Sequence, residues 1–557
     1  MKKSLFRVIL ISLLTAAMTL PLFACNPSDT PKDTDENNTE TEAVTEAVAA
    51  VNPATFGEAD IVYDCDDGSV LSTYNDKTSK DYKGVCAFYE QEGYTVYSTT
   101  DMGGNPATTY VKGDALAHIY WHPHNKELNV VLSDSAAATL PPATPAVTNG
   151  DYECTVVQMM DDKHVNGMGY IIQLSDGSYI VYDGAYAEQT NKIEKYLTAN
   201  HKGEGKPVVR AWVLTHSHND HYPAFQMFCR RARREKKFII EHVIVSPMND
   251  ENYFMNDPND YDPYLSQAFF KDIAVLSETK VVFAHTGMKF TFCNLDMEIL
   301  YAPESHYKTA SELGNFNNTS IVSRLYDENY SALFTADVGI EGSTIMENLY
   351  GDYLKSDICQ ISHHGVEDVP LSFYEKVQAA ILYYPCDLWL YDQTDRHWEE
   401  RQAMEDWTCT KEILIAGLGQ YVRAWGTSFE ADAPLSMPDY PISTPEEDTE
   451  AENPTDDVTV LTVDKTTYKV GESILVTAVG DGTDWVGIAP VGAQSSERWW
   501  YVTAVGSGTQ FDLLSVVSGD EKSGNLAAGE YVIALVPNDQ PWASGNYAAS
   551  VTVTVTE

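Results

Sequence analysis

The chain has 557 residues and carries 82 acidic against 36 basic side chains, a formal charge of −46. An excess that large repels phosphate backbones, which excludes a general polyanion-binding surface, and no strong nucleic-acid partner is expected. Nine cysteines over this length are too sparse for a disulfide framework, although Cys65 and Cys86 could pair in an oxidising exterior.

In chain order, Met1, Lys2, Lys3 and Arg7 precede a mainly apolar run from Val8 to Phe23 that closes on LFAC at 22–25. A basic start, an apolar stretch too short for a comfortable membrane span and a small residue before a cysteine resemble a bacterial lipoprotein signal. The resemblance implies removal of residues 1–24, a lipid on the Cys25 thiol, export, and anchoring on the outer face of the cell membrane. An ordinary signal peptide or an uncleaved anchor is the alternative, and export follows from each. Residues 25–56 are acidic and poor in large apolar side chains, so they cannot offset chain entropy and are expected to form a flexible tether. Its random-coil reach is on the order of 30 Å.

Residues 57–135 combine a helical stretch, KDYKGVCAFYEQEGY, with strands such as HIYWH and LNVVL, which suggests a small α+β module. Its His118, His122 and His124 have too few acidic or thiol neighbours for a metal site, and an exposed turn is expected around them. Residues 136–150 and 433–457, both rich in Pro and the second also acidic, are expected as linkers. They isolate a central body at 151–432 and a last one at 458–557.

The central body opens with two apolar runs in GYIIQLSDGSYIVYDG, joined by Ser175-Asp176-Gly177, which is hairpin chemistry. A helix is expected near 188–200, then a buried strand at 208–214, and directly after it THSHNDHY at 215–222. Pro223 begins the next helical pattern, in a position where proline is tolerated. The histidines therefore fall in a strand-to-helix loop, where α/β folds place their chemistry. His216 and His218, two apart, point the same way from an extended segment, and Asp220 with His221 can face back across the same hollow. Imidazoles and carboxylates in that arrangement suit two adjacent borderline ions, with zinc foremost and manganese as the alternative.

THSHNDH resembles the HxHxDH signature of the metallo-β-lactamase superfamily, whose αββα sandwich is then the expected fold of residues 151–432. Further ligands are expected at later strand ends. Asp337, in FTADVG, resembles the family's bridging aspartate, and SDICQISHHGV brings His363 and His364 to a strand end. With NNTSIV at 317–322, this HHG element resembles the branch holding DNA-uptake-type hydrolase domains and bacterial phosphorylcholine esterases. That resemblance implies metal ligands at His216, His218, Asp220, His221, Asp337 and His364, with His363 left to contact substrate or leaving group. For the third ligand position Asn317 is preferred, with His306 as the other candidate, while His242 and His285 are expected to be structural. His397 is a candidate substrate-side residue, Asp183 a structural support, and His164 either lines the site or lies on the surface. Two ions would activate a water and stabilise charge on an attacked oxygen, and Asp220 or Asp337 would take or relay the proton.

The implied activity is hydrolysis of an anionic or ester substrate, either a small molecule or a cell-surface polymer, with phosphoesters ranked first by analogy to the branch. A β-lactamase or lactonase, or a surface binding protein without turnover, are the alternatives. The basic run RRARREKK at 230–237 is read first as a solvated helical face and second as an anionic-substrate contact. The C-terminal hundred residues alternate at period two between Gly, Asn and Asp turns, which predicts a β-sandwich resembling Ig-like modules.

Overall fold

The computed structural model describes residues 48–438 and 460–556, except for 66, 146–151, 162–163, 233–235, 247–270, 304–315, 367–368, 393–397, 480–483, 494–495, 497, 502–509, 514–525, 537–541 and 543–546. The expected signal and Cys25, like His306 and His397, lie outside the described residues. Among the described residues no helix is long and apolar enough to cross a membrane.

Two seven-stranded sheets form the central body. The first runs from Lys280–Phe283 through Ile239–Val245, Val208–Val213, Tyr179–Asp183, Gly169–Gln173 and Thr155–Gln158 to Tyr421–Ala424. The second runs from Lys289–Phe292 through Leu295–Tyr301, Val322–Tyr326, Ser331–Phe334, Ile358–Gln360 and Ile381–Tyr384 to Glu412–Ile415. Their inner faces share one core in which Tyr182 stacks on Phe334 at 4.2 Å. The outer face of the first sheet is covered through Trp212, Phe225 and Phe228 by helices Gln189–Asn200 and Pro223–Ala232. Helices Ile340–Tyr350 and Leu371–Val377 cover the second. Burial on both faces explains why the inner strands read as continuous apolar runs, every residue of Tyr179–Asp183 being buried. This is an αββα sandwich. Val208–Val213 pairs in parallel with both neighbours, so the loops that leave these strands emerge at one edge.

Residues 61–133 form a six-stranded antiparallel sheet against which helix Ser79–Gln91 packs through Tyr82, Val85 and Tyr89. The helix starts where Thr78 and Asp81 cap each other reciprocally, satisfying donors the first turn leaves open. Cys65 and Cys86 are separate thiols, and burial pushes the Cys86 thiol up.

This module is not merely tethered to the central body. Leu116 joins the inter-sheet core, Asn105 donates to the Leu349 carbonyl at 2.7 Å, and Thr100 donates to Glu298 at 3.1 Å. Glu298, fully buried, pairs with Arg324 at 2.6 Å, and Tyr353 donates to the same carboxylate at 2.9 Å. At Gly287, φ is +87° and an added Cβ would lie 2.5 Å from the Ala107 Cβ, so only glycine lets the two bodies approach so closely. The expected linker at 136–150 is likewise docked as far as residue 145: Leu140 is buried in the core, and Thr144 bonds backbone to backbone with Thr291.

The expected exposed turn spans 123–126 and holds only His124 of the three histidines. His118 and His122 lie on strand Ala115–His122 and are fully buried. His118 Nε2 donates to the Thr286 carbonyl at 2.9 Å and its Nδ1 accepts from Thr109 at 2.9 Å; the carbonyl fixes this tautomer. Burial depresses His118 to about 3 and His122 to about 4. Folded values below the unfolded ~6.5 mean stability present above pH 6.5 and lost as pH falls. Each imidazole costs about 2 kcal/mol by pH 5. Replacing His118 by Gln is therefore expected to halve the loss these two cause, read as the urea midpoint at pH 7 and pH 5. Parallel pH dependence in variant and parent would show that His118 does not titrate on unfolding.

The C-terminal residues form a three-stranded and a five-stranded sheet that share a core of Val476, Ile488, Ile533 and Val553. Trp485 is buried and lies 5.9 Å from the Trp542 ring, a packing role.

Candidate metal centre

Four chain segments meet at the edge where the strands end. The strand Val208–Val213 runs into Thr215 and then His216, His218, Asp220 and His221, and the His221 backbone folds back onto the His218 carbonyl. Asp337 follows strand Ser331–Phe334, and His363 and His364 follow strand Ile358–Gln360, in a short 3-10 turn. Asp183 ends its own strand.

The side chains converge as two groups. Asp220, His221, Asp337 and His364 offer ligand atoms all within 4.8 Å of one another, and so do His216, His218 and Asp337. Asp337 belongs to both. Its Oδ2 lies 2.9 Å from His221 Nε2, 3.3 Å from His364 Nε2 and 3.8 Å from His216 Nε2. Asp220 Oδ2 lies 3.1 Å from His364 Nε2, and His216 Nε2 lies 3.1 Å from His218 Nδ1.

These residues fit metal ions. Among the described residues Asp337 Oδ1 is buried with no hydrogen-bond partner, an arrangement too costly to keep without a counter-charge. The His216 and His218 nitrogens that meet at 3.1 Å are of the type that borderline metal ions take as ligands. The supporting bonds leave the inward nitrogens available: His364 Nδ1 donates to the Pro385 carbonyl at 2.7 Å, and His221 Nδ1 meets Asp183 Oδ2 at 2.8 Å. Such outer partners fix the tautomer and ring orientation of ligating histidines.

Electrostatics follow from burial. Burial favours the neutral imidazole at His221, but Asp337, Asp220 and Asp183 outweigh it and hold His221 well above its usual value. His364 is raised to about 10 against burial by Asp337 and Asp220. His216 is pushed well below by burial and by its neighbours His221 and His218. Burial opposes ionisation of Asp220 and Asp337, yet the imidazoles hold both carboxyls below the usual range.

The loops are braced and strained. Asp183, Ala336, His363 and His364 all have positive φ, between 43° and 57°, a region that costs most non-glycine residues about 1 kcal/mol or more and clusters at functional sites. Gln360 holds the Ala336 peptide from both sides, accepting from its N–H at 2.6 Å and donating to its carbonyl at 2.9 Å. Ser320 accepts from the Asp337 N–H at 3.2 Å.

The remaining candidates lie as follows. Asn317 is buried with its amide 3.3 Å from His363 Nε2, beside Phe316, whose ring lies 4.6 Å from that of His218. The second asparagine, Asn318, caps the helix after Asp337 by accepting from Gly339 and Gly342. His363 is only half-buried, and burial lowers it to about 4. His164 stacks on Tyr186 at 3.8 Å and pairs with Asp161 and Glu188. His242 Nδ1 donates to the Arg210 carbonyl at 3.0 Å, and His285 lies 6.4 Å from His118; both are in structural positions, as expected. In the basic run, Arg231 and Lys237 converge on Glu194 rather than on the hollow.

Asn166 escaped the sequence reading. Its amide donates to Asp220 Oδ2, while its carbonyl accepts from the Tyr186 hydroxyl at 3.1 Å. The available signal was its place in DDKHVNGMG, the loop preceding strand Gly169–Gln173. Asp183 does more than support: it also accepts from the Thr215 N–H at 2.8 Å and hydroxyl at 2.7 Å. Asparagine tolerates its positive φ, so Asp183→Asn should keep the turn while weakening metal affinity about 10–100-fold. Competition with a fluorescent chelator measures this, and unchanged affinity would make the His221 contact incidental.

Residues 165–302 match the model of the metallo-beta-lactamase superfamily. The first four candidate ligands, His216, His218, Asp220 and His221, lie inside that matched segment, and Asp337 and His364 lie beyond it. No curated protein matches the chain. Among solved structures it is similar to CmlA, a diiron beta-hydroxylase from Streptomyces venezuelae, at 13% identity and TM-score 0.24, covering 49% of this chain and 45% of that one. It is also similar to Zn(2+)-bound PqqB from Methylobacterium extorquens, at 8% identity and TM-score 0.27, over 45% and 94% of the two chains. A third is a possible metal-dependent hydrolase from Veillonella parvula, at 8% identity and TM-score 0.22, over 42% and 83%. The chain spans less than half the length of CmlA.

Proposed function

We propose that the protein is an exported, lipid-anchored hydrolase that uses two divalent ions, zinc or manganese, and acts on phosphoesters. The observation that carries the two-ion reading is the sharing of Asp337 between two ligand groups. Bound ions would supply Lewis acidity and a water of lowered pKa. The chain's own residues do the rest. Asp220, held ionised by His221 and His364 and oriented by Asn166, is placed to take a proton. His363 and Asn317, side by side, would contact the attacked group or the leaving oxygen, with Asn317 also the candidate for the third ligand position. Phosphoesters are preferred because the HHG and NNTS elements resemble the phosphoesterase-rich branch. Export and anchoring rest on the basic, apolar and LFAC-ending start of the sequence.

The test is hydrolysis of a small chromogenic phosphodiester by the fragment from Asn26 onward, loaded with zinc or manganese. Turnover supports the reading. Metal binding without turnover removes the phosphodiester preference and directs the search to monoesters, lactams and lactones. Failure to bind metal would leave a surface binding protein.

A further inference from the structure

A cavity of about 740 Å³ lies away from the metal centre. It lies at the other end of the same strands. Gly169 pairs with Asp183 beside the ligands, whereas Gln173, four residues on, pairs with Thr155 and lines the cavity. That separation is about 13 Å along the strand. Helix Gln189–Asn200 forms one wall and the edge near Gln420 and Val422 the other.

The lining departs from the rest of the chain in charge. The described lining residues include Lys192, Lys195 and Lys202 with one acidic group, Glu153, on a chain of formal charge −46. Lys192 and Lys195 are one helical turn apart and so share a face. Lys192 donates to the Met160 carbonyl at 3.0 Å, and Lys202 sits 4.9 Å over the Tyr152 ring. Lys195 is exposed and, among the described residues, enters none of the ion pairs that occupy Arg210, Arg231 and Lys237. Tyr152 is held in place: its hydroxyl accepts from the Lys202 N–H at 2.7 Å and its ring closes on Gly177. With Tyr196 it gives the groove two aromatic walls, and the amides of Gln173 and Asn200 add neutral hydrogen-bonding groups.

A concave site of a few hundred Å³, mainly apolar with a few convergent polar groups, suits a small molecule. Ammonium groups select an anion, aromatic faces a ring, and amides hydroxyl groups. We propose that this groove is a second binding site, for a ring-bearing phosphate ester such as a sugar phosphate, with Lys192, Lys195 and Lys202 at the phosphate and Tyr152 and Tyr196 along the ring. The site stands independently of the metal centre and of the reaction assigned to it.

Calorimetric titration of the protein with glucose 6-phosphate, metal-loaded and after chelation, tests this. Chelation removes any binding at the metal centre. The expected result is chelation-resistant binding with Kd on the order of 1 mM or tighter, weakened at least tenfold by Lys195→Glu and less by Lys195→Met. Inorganic phosphate and glucose are each expected to bind at least tenfold more weakly. Phosphomannan separates the two sources of such an ester. Competition at a lower monomer concentration than the free ester assigns a polymer unit, and at an equal or higher concentration a free metabolite. Absence of chelation-resistant binding, indifference to Lys195→Glu, or inorganic phosphate binding as tightly as the sugar phosphate would overturn the proposal.

Discussion

Asp337→Asn is expected to eliminate hydrolysis and reduce metal affinity by more than the ~10–100-fold typical of removing an outer partner. Asp337 is fully buried and its Oδ2 lies within 3.8 Å of three imidazoles on two chain segments. Asparagine keeps the shape but removes the negative charge that both ligand groups share. Metal content by mass spectrometry of the native protein, alongside turnover of the chromogenic diester, reads the effect. Circular dichroism checks that the sandwich is intact. A variant that still holds two ions and turns over within threefold of the parent would refute the sharing of this carboxylate.

The second large effect is on stability. Arg324→Met is expected to cost about 3–5 kcal/mol, because it leaves Glu298 buried without its cation. The Tyr353 and Thr100 hydroxyls remain on that carboxylate but carry no charge. Burial already raises the Glu298 carboxyl despite Arg324, so in the variant it should take up a proton near neutral pH. Stability of the variant should consequently improve, relative to the parent, as pH falls. The double variant Arg324→Met with Glu298→Met should recover most of the loss, since an apolar pair of similar volume is often as stable as a buried ion pair. Urea midpoints of the three proteins measure this, and a single-variant loss under 1 kcal/mol would show that water reaches the pair. Since Thr100 belongs to the N-terminal sheet, the same carboxylate also ties that sheet to the sandwich.

Local pattern carried much of the site. THSHNDH follows an apolar strand and precedes a proline-led helix, and both flanking elements form where apolar periodicity and helix-start chemistry place them. The hairpin at Ser175-Asp176-Gly177 forms for the same reason, since its turn chemistry is contained in three residues. The sequence also pointed to Asp337 and His364, because each stands just past a recognisable strand. His118 and His122 were misjudged for a complementary reason. An imidazole near Pro123 looks like surface until its partners are in place: the Thr286 carbonyl, 168 residues away, for His118 and the Asn105 side chain for His122.

By itself the sequence determined the strand and helix order, the loop that bears the first four candidate ligands, and the chemistry those residue types can perform. These depend on neighbours within a turn or a strand, where spacing translates directly into geometry. Only the tertiary structure decided that Asp183 and Asn166 orient His221 and Asp220, and that the linker and N-terminal sheet are bound to the sandwich. Those facts are set by contacts between residues far apart in the chain, and a hydrophobic pattern states that a face will be buried without stating what will bury it.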